Sequence, residues 1–227
     1  MSVNAVEEAL FGRRSVRAFL PEPVSGSDVA ELLVAARSAP SGANLQPGRF
    51  HALSGAALAG LTDALAGAIA SHRPEVAEYS YFPDPMPAEL QARRRAAGFA
   101  LYGALGIDRR DIAARRTQFD RNYRFFDAPV GIVVSIDRGM GKGCYMDLGM
   151  ALMALQMAAK ARGLGTCGVG ALAKHADVVH DFLDLDDEEL VVCGVALGWP
   201  DTAHPVNQFR TTRAPLTDFA ELHGFDD

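Results

Sequence analysis

The 227-residue chain has few cysteines and none of the motifs that mark common metal or nucleophile sites. Its three cysteines, Cys144, Cys167 and Cys193, are an odd number without a C-x-x-C pair. Reduced, mostly buried thiols are therefore expected rather than a disulfide framework. No H-E-x-x-H or G-x-S-x-G motif is present. His175 and His180 are five residues apart, off a common helical face, so no metal site is predicted.

The chain also lacks a long apolar run and an excess of positive charge. The longest weakly polar run, 148–159, is too short to span a bilayer, and segment 1–11 lacks the layout of a signal peptide. The formal net charge of −6 argues against general nucleic-acid binding. With 49% hydrophobic and 22% charged residues, we expect one cytoplasmic domain over 1–227, without nucleic-acid or membrane partners.

Apolar periodicity and turn residues predict both helices and strands. The predicted elements are helices over 28–37 (with Ser27 as N-cap and Pro40 as the stop), 56–70 and 146–162, and strands over 50–53, 130–136 and 190–197. For the glycine-rich stretch 163–170, the purely structural alternative to a binding loop is a helix C-cap at Gly163 followed by a turn.

The helix over 146–162 is apolar nearly all round. One stripe consists of Met146, Met150, Met153 and Met157, and leucines form another. A helix that is hydrophobic on every side should be buried on every side. A subunit interface is one candidate for covering a face, and a central core helix of a monomer is the alternative.

Segment 72–126 has a different composition from the rest of the chain. It starts with a loop rich in proline and tyrosine and carries nine arginines between Arg93 and Arg124. We expect either an insertion that forms a lid over a binding site or a solvated helical pair. In the second case Asp108, Asp111 and Asp120 would be the partners of the arginines.

Two motifs near the N-terminus suggest a phosphorylated, heterocyclic ligand. The first is Arg13-Arg14-Ser15-x-Arg17, and the second is the Ala-Pro-Ser-x-x-Asn-x-Gln-Pro run that contains Asn44 and Gln46. Arginine forks bind a dianion bidentately. Amide side chains both donate and accept hydrogen bonds, which suits the edge of a ring such as a flavin.

Together, in this order, the two motifs resemble the FMN-dependent nitroreductase family, and most closely its nitroaromatic- and nitrobenzoate-reducing branch. The resemblance covers the chain from about Val6 to Leu216. It implies an α+β sandwich with a central, mainly antiparallel sheet flanked by helices. It also implies an intertwined homodimer with two flavin sites built from both subunits, and a C-terminal extension, 204–227, toward the partner subunit.

The resemblance assigns cofactor contacts residue by residue. It implies FMN phosphate and ribityl contacts from Arg13, Ser15, Arg17 and Arg213, with Arg210 as a weaker candidate, a ring contact from Arg14, and partner-chain contacts from Asn44 and Gln46. Gly168, Val169, Gly170 and Ala171 would lie beside the flavin, with a backbone N–H near Gly170 or Ala171 facing N5. Many relatives carry Glu-Gly at the last two positions, so Gly170 leaves this chain without that carboxylate.

The implied function is an FMN-dependent NAD(P)H oxidoreductase in which flavin N5 carries the hydride and no side chain is catalytic. NADPH or NADH would be the reductant. Small nitroaromatic molecules, with quinones as a further class, would be the acceptors. Two alternatives stay open: a flavin-dependent dehydrogenase of a biosynthetic intermediate that oxygen reoxidises, and a flavin-binding module without turnover.

Overall fold

The computed structural model describes residues 4–225 and has a four-stranded sheet between two layers of helices. The strands are β1 (Arg49–Ser54), β2 (Val130–Asp137), β3 (Gly165–Val169) and β4 (Glu189–Gly198). Their order in the sheet is β1-β2-β4-β3, and each neighbouring pair is antiparallel. The prediction of an α+β fold with a mainly antiparallel central sheet is confirmed.

The helices are α1 (Ala5–Gly12), α2 (Gly26–Arg37), α3 (Gly55–Ala70), α4 (Ala88–Ala104), α5 (Ile112–Asp120), α6 (Lys142–Ala161) and α7 (Ala176–Leu183). Two apolar cores lie on the two faces of the sheet. Helices α3 and α7 bury Leu61 and Val179 in one core, and α2 and α6 bury Leu32 and Leu155 in the other. Strand β2 serves both cores because successive side chains point to opposite faces.

Two local predictions were wrong. The N-cap of α2 is Ser25, whose hydroxyl oxygen accepts a hydrogen bond from Asp28 N at 3.0 Å, whereas Ser27 lies inside the first turn. The stretch 163–170 is not only a turn, since Gly165–Val169 forms edge strand β3. Gly165 permits this because a Cβ there would lie 2.6 Å from Val16 Cγ2. The hydrogen bonds that hold this strand come from β4, far away in sequence.

The segment 72–126 is tied to the fold through its first part. Val76 N donates to Lys174 O at 2.8 Å, and Tyr79 Oη donates to Val192 O at 2.6 Å. Helix α4, by contrast, has no buried residue, and α5 buries only Gln118. These two helices therefore lie on the surface of the protomer.

Only one of the three expected aspartate partners pairs with an arginine within residues 4–225. Asp120 pairs with Arg116 at 2.9 Å. Asp108 and Asp111 instead accept hydrogen bonds from backbone N–H groups, and Asp111 is thereby the N-cap of α5. An aspartate that was not predicted as a partner, Asp127, forms a salt bridge with Arg124 at 2.5 Å.

Helix α6 is buried on one side only within the protomer, so the alternative of a central core helix in a monomer is wrong. Leu148 and Leu155 are buried, but Met146 is 70% exposed and Met150 41% exposed. Met146 and Met150 thus form an apolar surface that this chain does not cover, whereas Met153 and Met157 are half-buried.

Among the helices of residues 4–225, none has the length and apolar character needed to cross a bilayer.

Candidate functional site

The arginine motif runs beside β3 as an extended segment. Ser15 pairs with Thr166 in a parallel bridge, and Val16 N donates to Thr166 O at 2.9 Å. Because side chains alternate in extended chain, Val16 and Ala18 point into the protein and are buried. The residues that alternate with them along the chain, Arg13, Ser15 and Arg17, are left on the opposite side.

These residues line a cavity of about 230 Å³ together with the chain's C-terminal part. The polar lining consists of Arg13, Arg14, Ser15, Arg17, Arg210, Thr211 and Arg213, and the apolar lining of Leu10, Phe11 and Phe209. Among the residues that the structure describes, no carboxylate lines this cavity. Five guanidinium groups without an acidic partner in the lining favour a multiply charged anion such as a phosphate monoester.

The two C-terminal arginines are held by local contacts. Arg210 Nη1 donates to Phe11 O at 2.6 Å, and Arg213 Nη1 donates to Thr211 Oγ1 at 2.8 Å. Both side chains remain exposed. The tertiary fold therefore brings residues from positions 13–17 and 210–213 to one cavity.

Asn207 connects the two parts of this cavity, and sequence reasoning missed it. Its side chain is buried and donates to Ala18 O and Asp201 O, both at 2.8 Å, while its Oδ1 accepts from Arg17 N at 2.8 Å. Its backbone carbonyl accepts from Arg14 Nη1. Arg14 is thereby turned toward Asn207. The only signal in the sequence was an asparagine three residues before Arg210.

Asn44 and Gln46 lie elsewhere in the protomer, on an exposed loop beside α6. Gly42 N donates to Asp147 Oδ2 of that helix at 3.0 Å. Arg37, which was also missed, donates to the carbonyls of Gln46 and Gly48 and so holds the loop. Neither Asn44 nor Gln46 lines the arginine cavity.

Residues 168–171 continue from the site of the Ser15 bridge. Gly168 is exposed, with open space where a side chain would be, and the Val169 side chain is fully buried. Val169 as a whole is inaccessible in the protomer, so its predicted contact with a ligand has no exposed surface there. At Gly170, where β3 passes into a short 3₁₀ turn, a Cβ would lie 3.1 Å from the Tyr81 ring.

No activated nucleophile accompanies the cavity. Burial raises the pKa of Cys167 although Arg17 and Ser15 oppose the shift, and burial raises the pKa of Cys193 to about 12. Both thiols therefore stay protonated at neutral pH and are poor nucleophiles. Residues 4–225 also contain no cluster of three or more His, Cys, Asp or Glu side chains suited to a metal ion.

Comparison with known proteins shows the family to which the chain belongs. The sequence matches the Nitroreductase family over residues 10–199. It is 38% identical to a 4-nitrobenzoate reductase from Pseudomonas putida, covering 94% of this chain and 93% of the relative. It is 37% identical to a nitrobenzene nitroreductase from Ectopseudomonas oleovorans, covering 94% and 95%.

The fold matches solved structures over nearly its whole length. The FMN and NADPH-dependent nitroreductase NfnB from Sphingopyxis sp. strain HMH superimposes with a TM-score of 0.95 at 35% identity, over 98% of this chain and all of that one. The FMN-dependent nitroreductase NfnB from Mycobacterium smegmatis, solved with NADPH, gives 0.91 at 30% identity, over 96% and 97%. From its arginine cavity, its sheet and these matches, the chain belongs to the nitroreductase family.

Proposed function

We propose that this protein is an FMN-dependent NAD(P)H oxidoreductase that reduces nitroaromatic compounds. The observation that carries the proposal is the convergence of five arginines and Ser15 on one cavity. The relatives named for nitrobenzoate and nitrobenzene reduction, and the NfnB structures named for FMN and NADPH dependence, support the same activity.

The residues present fit the anionic end of FMN. Arg13, Ser15, Arg17 and Arg213 would hold the phosphate, with Arg210 at its rim. Arg14 would contact the ring end, in the direction set by its hydrogen bond to the Asn207 carbonyl. FMN, when bound, supplies the two-electron redox chemistry that no side chain of the site offers.

The backbone around Gly168 and Gly170 would lie along the flavin. Gly168 leaves open space on the exposed side of β3, which permits a planar ring to approach the chain. The N–H of Gly170 or Ala171 would donate to flavin N5. A backbone donor is fixed by the turn that follows β3, so it needs no side chain at position 170.

We also propose a homodimer, for two reasons. One protomer leaves apolar surfaces exposed, and its loop with Asn44 and Gln46 does not reach its own arginine cavity. Met146 and Met150 of α6 are exposed, as are Phe219 and Leu222 of the C-terminal segment. In the proposed dimer, residues 204–225 extend over the partner, and the predicted remainder of that extension, 226–227, lies outside the described residues. Obligate interfaces of this kind bury roughly 2,000 Å² or more.

In this dimer the loop with Asn44 and Gln46 would reach the partner's flavin. Its separation from the arginine cavity of its own chain supports that arrangement. Segment 72–126 would act as a lid, since its Tyr81 ring lies so close to Gly170 that a Cβ there would meet it. We expect the dimer to be cytoplasmic.

The test begins with the purified protein and its pigment. We expect a yellow protein that releases FMN on denaturation and is bleached anaerobically by NADPH or NADH. Adding 4-nitrobenzoate or nitrobenzene should restore the colour. Steady-state data should give parallel double-reciprocal lines, because the two substrates use one site in turn. A folded protein that ignores added FMN, or nicotinamide that is not oxidised with any nitro or quinone acceptor, would contradict the proposal.

A further inference from the structure

Two aromatic side chains and an arginine form a row that starts at Gly170. The Tyr81 ring is so close to Gly170 that a Cβ there would lie 3.1 Å from Tyr81 Cε2. The Phe82 ring meets Tyr81 edge-on, with 4.8 Å between the centroids. The guanidinium carbon of Arg94 lies 5.4 Å from the Phe82 centroid. We call these three side chains the aromatic row.

The aromatic row is uncovered but anchored. Tyr81 is 63% exposed and Phe82 53% exposed. The residues just before them are pinned to β4, since Val191 N donates to Glu78 Oε2 at 2.8 Å and Tyr79 Oη donates to Val192 O. Exposed rings fixed from behind in this way provide a surface for a planar aromatic ligand.

Arg94 lies at the outer end of the aromatic row, and its guanidinium N–H groups form no salt bridge with a carboxylate of residues 4–225. Its neighbour Arg93 pairs with Glu89, and Arg116 pairs with Asp120. The Arg94 guanidinium instead lies over the face of Phe82. Stacking on a ring orients a guanidinium and leaves its N–H groups in the plane available to an anion.

We propose that the aromatic row is a specificity subsite in which Arg94 binds the anionic group of the molecule stacked beside Gly170. This inference rests on the proposed function, which places the flavin at Gly170. The ligand is an aromatic or nicotinamide-bearing molecule with a carboxylate or phosphate at its outer end. The carboxylate of an acid-substituted nitroaromatic and a phosphate of NADPH are the two sources of that chemistry.

Kinetics of the holoenzyme with a charged and an uncharged acceptor test the subsite. At saturating NADPH, Arg94→Ala should raise KM for 4-nitrobenzoate by roughly 5- to 20-fold, the loss expected for one partly solvated charge-assisted contact. The kcat should stay the same, because the contact is made equally in the ground and transition states. KM for nitrobenzene should change by less than about twofold, and Arg94→Lys should restore part of the affinity for the acid.

Arg95→Ala is the matched control. It removes the same charge from the same helix, but one residue further along an α-helix points about 100° away, and Arg95 makes no ring contact among those found in residues 4–225. Its two KM values should match those of the wild type. An equal effect of Arg95→Ala would show a general charge effect and overturn the subsite.

The second arm separates the two anions. If Arg94→Ala leaves nitrobenzoate unaffected but raises KM for NADPH with nitrobenzene as acceptor, the bound anion is the nucleotide phosphate. No change in either value overturns the proposal. Wild-type turnover of nitrobenzene tests the proposed function separately. Should that turnover fail, equilibrium dialysis of 4-nitrobenzoate against the wild type and Arg94→Ala decides the subsite, with equal binding counting against it.

Discussion

Replacing Asn207 by alanine should weaken both the fold and flavin binding. The side chain is buried and makes three hydrogen bonds of 2.8 Å, to Ala18 O, Asp201 O and Arg17 N. Each such bond contributes about 1 kcal/mol net, so the loss in the free energy of unfolding is about 3 kcal/mol. FMN affinity should also fall, by about 10-fold, because the segment bearing Arg17 is no longer held to the C-terminal part of the cavity.

The assay is urea unfolding at one fixed protein concentration, together with fluorescence titration of the apoprotein with FMN. Gln208→Ala is the matched control, since the adjacent Gln208 is exposed and its side chain makes one hydrogen bond among those found in residues 4–225, to Ala203 O at 3.2 Å. It should cost no more than about 0.5 kcal/mol. If Asn207→Ala unfolds at the same urea concentration as Gln208→Ala, the assigned role of Asn207 is wrong.

Asn207→Asp distinguishes hydrogen bonding from packing. The carboxylate has nearly the same volume and still accepts from Arg17 N, but it cannot donate to Ala18 O and Asp201 O. If hydrogen bonding is the reason for burial, Asn207→Asp should be at least as destabilising as Asn207→Ala, since a buried charge would face two carbonyls. A packing role predicts instead that it is tolerated.

Three further changes test the cofactor cavity, the dimer and a buried carboxylate. Arg17→Ala should lower FMN affinity by roughly 10- to 100-fold, measured by fluorescence titration, and unchanged affinity would remove Arg17 from the phosphate site. Met150→Asp should shift the sedimenting species toward a monomer that has lost flavin, whereas a stable flavin-loaded dimer would show that the methionine stripe is not the interface. Burial opposes ionisation of Glu189, but hydrogen bonds from Ser135, His51 and Arg49 outweigh it and lower its pKa from 4.5. The ionised Glu189 therefore stabilises the fold above pH 4.5, and this stabilisation is lost as the pH falls through the lowered pKa. In urea unfolding, the stability difference between wild type and Glu189→Gln should accordingly shrink on acidification. A difference independent of pH would contradict this reasoning.

Local sequence patterns were sufficient where one segment carries its own signal. The β-branched runs 130–136 and 190–197 became β2 and β4 with only small changes at their ends. The helix predicted over 56–70 is α3, with Leu58, Leu61 and Leu65 buried. Such segments are recognisable because burial of a repeating apolar face is a property of the segment itself.

The prediction failed where the structure depends on a distant partner. In the sequence, strand β3 looks like a glycine-rich turn. It forms a strand because of partners elsewhere in the chain: the β4 backbone, the bridge to Ser15 and the contact of Val16 with Gly165. Asn207 was missed for the same reason, whereas Arg37 was missed although its partners, Gln46 and Gly48, lie only 9 and 11 residues away. Their value lies in hydrogen bonds to carbonyls that no local pattern announces.

The amino-acid sequence alone determined the family, the α+β class and the identity of the arginines, because each is written in short motifs or in a local period. The tertiary structure decided that Arg13, Ser15 and Arg17 share one side of a segment paired to β3. It also decided that Arg210 and Arg213 reach the same cavity, and that Met146 and Met150 of α6 are left uncovered. These outcomes depend on how segments far apart in the chain are packed, and that arrangement is set by the whole core rather than by any one segment.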